Sequence, residues 1–153
     1  MTKVHFSIDR FGFPGVDQAY LEFVFQVASR LARQDPKREI GIALVNAPYM
    51  RRLNQKYRQQ DKVSNVLSFV YREIQDPNCL TPGEEKNYLG DVYICHEKVM
   101  QQARAEKREP QEVFTKLLIH GILHLFGFHH EKSVSSASRM EALEDKISKA
   151  ILD

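Results

Sequence analysis

An α+β fold is predicted for this 153-residue chain: one domain with a small mixed sheet of about four strands packed against helices around a central buried helix. Three observations predict it. Short apolar or alternating runs of strand length, VHFSI, EIGIALVN, VLSFVY and YLGDVYIC, are separated by stretches with helical periodicity. One stretch, Gln111 to Phe126, with Pro110 suited to a first helical position, is apolar almost all round, the mark of a buried helix. The order is strand, helix, strand, helix, two strands and then three helices, which gathers most helices at the end instead of alternating strictly.

Val4 to Ile8 alternates apolar and polar side chains and reads as a first, edge strand; FGFPGV after it is a turn. Asp17 caps a helix over Gln18 to Arg33, where Leu21, Val24, Phe25, Ala28, Leu31 and Ala32 form one stripe. Glu39 to Asn46 is a strand. The helix from Ala47 to Arg58 turns Met50, Leu53 and Tyr57 inward and leaves Arg51, Arg52 and Lys56 on a solvated basic face. Ser64 and Asn65 open a strand from Val66 to Tyr71, with Asn65 and Ser68 either capping loop backbone, the commoner role, or lining a cleft. Arg72 to Asn87 is polar and rich in turn formers, a loop of about 15 residues, a length that goes with mobility or a place at a cleft. Tyr88 to Cys95 returns as a strand in which Asp91 is expected to bond backbone near the sheet edge, and His96 to Lys107 forms a helix that starts on a structural His96. SVSSAS caps a final helix over Ala137 to Leu152, with Met140, Leu143, Ile147 and Ile151 inward.

Composition bounds the function classes. A hydrophobic fraction of 42% with 27% charged residues is that of a soluble globular domain. No apolar run approaches a membrane span and the start, MTKVHFSIDR, lacks the apolar core of a signal peptide, so a cytoplasmic protein without membrane contact is expected. Cys79 and Cys95 lack metal-type spacing and are expected to stay as thiols. Residues 1–75 hold twelve Lys/Arg against seven Asp/Glu and the remainder ten against thirteen, a bias that attracts phosphates but more commonly marks a solvated surface.

The central helix carries the chemistry. His120 and His124 stand at i and i+4, on one face with Cβ atoms about 5–6 Å apart. Gly127 suits the left-handed conformation that ends a helix, so His130, six residues after His124, can bring a third imidazole from beyond the turn. Three neutral His ligands and an open position describe a catalytic zinc site, since structural sites are closed by four protein ligands. The pattern H-x-x-x-H-x-x-G-x-x-H is shared with metzincin proteases, whose first His is followed by a Glu general base; here Gly121 stands in that place, which disfavours a peptidase.

The longer string HGILHLFGFHH resembles the signature of the YbeY family, bacterial-type endoribonucleases of ribosomal RNA maturation, which reads H-G-x-L-H-L-x-G-[FY]-D-H. His129 stands where that signature has Asp, which removes a carboxylate able to accept a ligand's ring N–H. LNQKYRQQDKVSNVLSFVY, from Leu53 to Tyr71, is similar to the family's L-N-x-x-Y-R-x-x-[DN]-x-x-T-[DN]-V-L-S-F-P, with Ser64 for Thr and Val70 for Pro; YLGDVYI, from Tyr88, resembles its L-G-D-I strand. The resemblance implies His120, His124 and His130 as ligands of one Zn2+ ion and Arg58 as a catalytic residue. A guanidinium is charged at any working pH and grips phosphate oxygens in a fork, so Arg58 is the expected phosphate or transition-state clamp.

The resemblance also implies a single-stranded RNA substrate, ribosomal RNA of the small subunit near its 3′ end, a part in ribosome quality control, and the ribosome with its subunit proteins as partners. With no Glu after His120, the nucleophile is expected to be a zinc-bound hydroxide or the RNA's own 2′-OH, and His129 is the residue offered as proton carrier. Two other classes stay open: a metal-dependent hydrolase of peptides or small molecules related to minimal metzincins, and a ribosome-associated binding protein with a structural metal.

Overall fold

Two central strands organise the molecule. The computed structural model describes residues 4–8, 12–71, 87–129 and 133–153. Among them, β1 (Val4–Ile8), β2 (Glu39–Val45), β3 (Val66–Val70) and β4 (Tyr88–Cys95) form one mixed sheet in the order β1-β2-β4-β3. β1, β2 and β4 run parallel and β3 is antiparallel to β4. β2 and β4 are buried almost throughout, as continuous apolar strands in the middle of a sheet covered on both faces should be.

One face of the sheet is covered by α1 (Gln18–Leu31), α3 (His96–Glu106), α4 (Pro110–Leu125) and α5 (Val134–Leu152) around a core that includes Ile40, Ile42, Val92, Ile94, Leu118 and Ile122. The other face carries α2 (Ala47–Tyr57), with Met50 and Leu53 packed on Ala43, Phe69 and Tyr93. Both the α+β class and the four-stranded mixed sheet are therefore as the sequence predicts. No helix among the described residues is long and apolar enough to cross a membrane.

Capping chemistry sets the helix limits. The Asp17 carboxylate accepts from the Tyr20 N–H and the Asn46 side chain from the Tyr49 N–H, so Asn46 begins α2 instead of ending β2. α1 stops at Leu31, two residues before the predicted Arg33, because Arg33 takes a left-handed φ of 57° and the Gln34 N–H closes on the Ser29 carbonyl. α5 starts at Val134 and not Ala137, since Ser133 is the serine whose hydroxyl accepts from Ser136 N–H.

The expectation for Asp91 needs correction. β4 is a central strand because β3 adds outside it, so Asp91 is buried within the sheet and its carboxylate accepts the Tyr88 hydroxyl. His96 is structural as expected, its ring stacked on Phe13 at 5.0 Å. Cys95 is a buried free thiol whose pKa burial pushes up. Cys79 and the predicted loop, apart from Asn87, lie outside the described residues.

Candidate active site

α4 brings His120 and His124 together because it runs flush against the sheet. A Cβ on Gly121 would lie 2.6 Å from Val92 Cγ1 and 3.0 Å from Ser68 Oγ, so only glycine admits this approach. The Ser68 hydroxyl donates to the Gly121 carbonyl at 3.0 Å. The position that carries a general base in the peptidase pattern thus has no room here for a side chain.

The His120 and His124 rings meet edge to face with centroids 4.6 Å apart and their Nε2 atoms at 3.0 Å. His120 Nδ1 donates to the Glu144 carboxylate of α5 at 3.2 Å. Two ligands on a tetrahedral zinc with bonds of ~2.05 Å stand ~3.3 Å apart. The observed separation fits that requirement after a slight opening; both rings are half-buried, and His124 lines a cleft.

Beyond the helix, Gly127 takes the left-handed φ of 98° expected of it, and the Phe128 N–H returns to the Leu123 carbonyl. The turn carries His129 back until its ring centroid is 5.5 Å from that of His124. His130, the third predicted ligand, lies outside the described residues. Among the described residues no three His, Cys, Asp or Glu side chains form a group able to hold a metal ion.

Arg58 reaches the same place from the opposite face of the sheet. It is the C-cap of α2, and the next residue, Gln59, turns left-handed so that the Gln60 N–H closes on the Asn54 carbonyl. From there the guanidinium lies 4.4 Å over the Phe69 ring and donates to the carbonyls of Ser68 and Tyr57. Arg58, Ser68, His124 and His129 line one cleft of about 440 Å³ whose apolar walls are Leu67, Val70 and Leu125.

Ser68 therefore lines the cleft, whereas Asn65 is exposed and its carbonyl accepts from Cys95 N–H. The remaining basic residues of α2 stay on its surface: Arg51 forks onto Asp61 and holds that carboxyl below its usual range, Arg52 sits over Tyr49, and Lys56 over Tyr57.

Two residues of the site were not singled out from the sequence. Glu144 is 24 residues from its partner and looks like one more polar position of an amphipathic helix. Asn54 is buried in α2 and donates at 3.0 Å to both the Lys62 carbonyl and the Ser64 hydroxyl, pinning the segment that leads into β3. Its place beside Leu53 in an otherwise inward-facing stripe was the available signal.

Comparison with known proteins gives a consistent result. The family model described as Endoribonuclease YbeY matches residues 15–152. A protein of that name from Acinetobacter baumannii (strain ATCC 17978) is 38% identical over 130 residues, 85% of this chain and 80% of its own. One from Roseiflexus sp. (strain RS-1) is 32% identical over 136 residues, 89% and 84% of the two chains. One from Hydrogenovibrio crunogenus is 36% identical over 141 residues, 92% and 85%. The solution structure of TM1509 from Thermotoga maritima shares the fold with a TM-score of 0.62 at 23% identity, over 97% of this chain and 88% of that one. With the fold and the sequence match in agreement over nearly the whole length, the chain belongs to the YbeY endoribonuclease family, enzymes that cut RNA internally.

Proposed function

We propose that this protein is a zinc-dependent, single-strand-specific endoribonuclease that matures ribosomal RNA at the 3′ end of the small-subunit transcript and serves ribosome quality control, with the ribosome and its subunit proteins as partners. The observation that carries the reading is the convergence of two imidazole Nε2 atoms at 3.0 Å beside a cleft that Arg58 also lines. His120, His124 and His130 hold the ion, and His130 is assigned from its place in the motif. A bound zinc ion supplies a Lewis acid that polarises a phosphoryl oxygen.

The protein's own groups do the rest. Arg58, steadied by Phe69 and the β3 backbone, grips the scissile phosphate in a fork and balances the charge that develops on it. His129, on the wall of the same cleft, carries a proton to or from the reacting oxygens. Leu67, Val70 and Leu125 exclude water around the phosphate and offer apolar surface to unstacked bases. Attack by water and attack by the RNA's own 2′-OH both suit this set. A substrate with 2′-deoxyribose at the cut site distinguishes them, since it stops only the second.

The test offers the purified protein, with and without chelator, a labelled single strand, the same sequence as a duplex, and a peptide library. Metal-dependent cutting of the single strand alone is expected, falling by about 10²–10³-fold in Arg58→Ala, the scale for removing a transition-state donor. Peptide cleavage with RNA left intact would overturn the assignment, as would RNA binding without turnover.

A further inference from the structure

We infer that Glu144 is a positioning residue of the metal centre, which makes α5 part of that centre. The inference rests on the metal reading above and concerns what orients its first ligand. A neutral imidazole carries one N–H, and an ionised carboxylate only accepts; the contact of His120 Nδ1 with Glu144 Oε2 at 3.2 Å therefore places the proton on Nδ1. That leaves the lone pair of His120 on Nε2, the atom that faces His124 Nε2 at 3.0 Å. The carboxylate selects the ligating tautomer and fixes the rotation of the ring.

The placement of Glu144 on α5 argues that this contact is more than incidental. Met140 and Ile147 are fully buried and Leu143 packs against the same core. Glu144 stands at i+4 from Met140 and i−3 from Ile147, a position that helical periodicity assigns to an apolar side chain. A carboxylate with 30% side-chain exposure at such a position loses hydration that an apolar residue would not, and His120 is what it gains in return. The signature's Asp beside the ligands is absent, and His129 in its place has no anionic charge to contribute. Glu144 brings a carboxylate to the centre from a different element.

The experiment compares the full-length parent, Glu144→Ala, Glu144→Gln and His120→Ala by zinc affinity, measured by competition with a chromophoric chelator, and by urea unfolding of the metal-free proteins. Glu144→Ala is expected to weaken zinc binding by about 10–100-fold with the metal-free midpoint retained. Glu144→Gln should fall between it and the parent, because its amide oxygen accepts the N–H without the charge. Parent-like zinc affinity in Glu144→Ala alongside loss in His120→Ala would overturn the inference and leave the metal reading standing. So would a lowered metal-free midpoint with zinc affinity intact, the result for a plain tie between α4 and α5. Parent-like affinity in His120→Ala would sink the metal reading itself.

Discussion

The absence of a side chain at Gly121 sets how near α4 comes to the sheet, and so where His120 and His124 stand. Val92, the nearest neighbour, is β-branched and fully buried, and has nowhere to retreat. Gly121→Ala would gain about 1 kcal/mol of helix propensity and incur about 1–3 kcal/mol of overpacking. The expected result is a net destabilisation of up to about 2 kcal/mol by urea unfolding, together with reduced cutting as the imidazoles are displaced. A variant more stable than the parent would show that the approach is not tight. At this scale the sequence was most informative about residues whose role is written in spacing. The i, i+4 imidazoles and the left-handed Gly127 are local facts, and both appear where expected. The reason for glycine after His120 was not legible, because Val92 and Ser68 reach it from strands remote in the chain.

At the scale of elements, α2 and β3 act as one clamp. Asn54 holds the connecting segment through Lys62 and Ser64, Arg51 holds Asp61, and Arg58 closes onto the Ser68 carbonyl. Asn54→Ala removes two donations from a fully buried amide and leaves the segment's acceptors unpaired; a loss of about 2–3 kcal/mol is expected in chemical denaturation. Because Arg58 is anchored on the same segment, RNA cutting should fall with it even at temperatures where the variant stays folded. Element boundaries were legible to within three residues, and the differences follow capping: Ser133 was available as the α5 cap, but SVSSAS offers several serines with equal claim. The environment of Asp91 was misjudged for a different reason. Strand order is not chain order, and the insertion of β4 between β2 and β3 converts an expected edge position into a central one.

For the whole molecule, the proposed metal site would couple ion binding to the fold through the contact of α4 with α5. A ligand that binds only the native state at about 100 times its Kd adds about 2.7 kcal/mol of stability. For a chain of this size that corresponds to a rise of roughly 5–11 °C in Tm. Chelation should therefore lower the thermal midpoint by that order, and stoichiometric zinc should restore it; an unchanged midpoint would count against a site built into the native core. The class of fold was legible because patterning reports burial, and β2, β4 and α4 are buried on nearly every side. The layering was not, since nothing in the periodicity of α2 says that it, alone among the described helices, covers the second face.

That layering has a consequence for how the cleft can change. The histidine pair belongs to the helices on one side of the sheet and Arg58 to α2 on the other, and among the described residues both sides line one cleft at the antiparallel margin, β3. On the proposed reading, a bound phosphodiester lies across this margin, in a cleft that neither helical layer forms by itself. Divergent substrates would be accommodated by remodelling this border, through the exposed side chain of Val70, while both hydrophobic layers stay as they are.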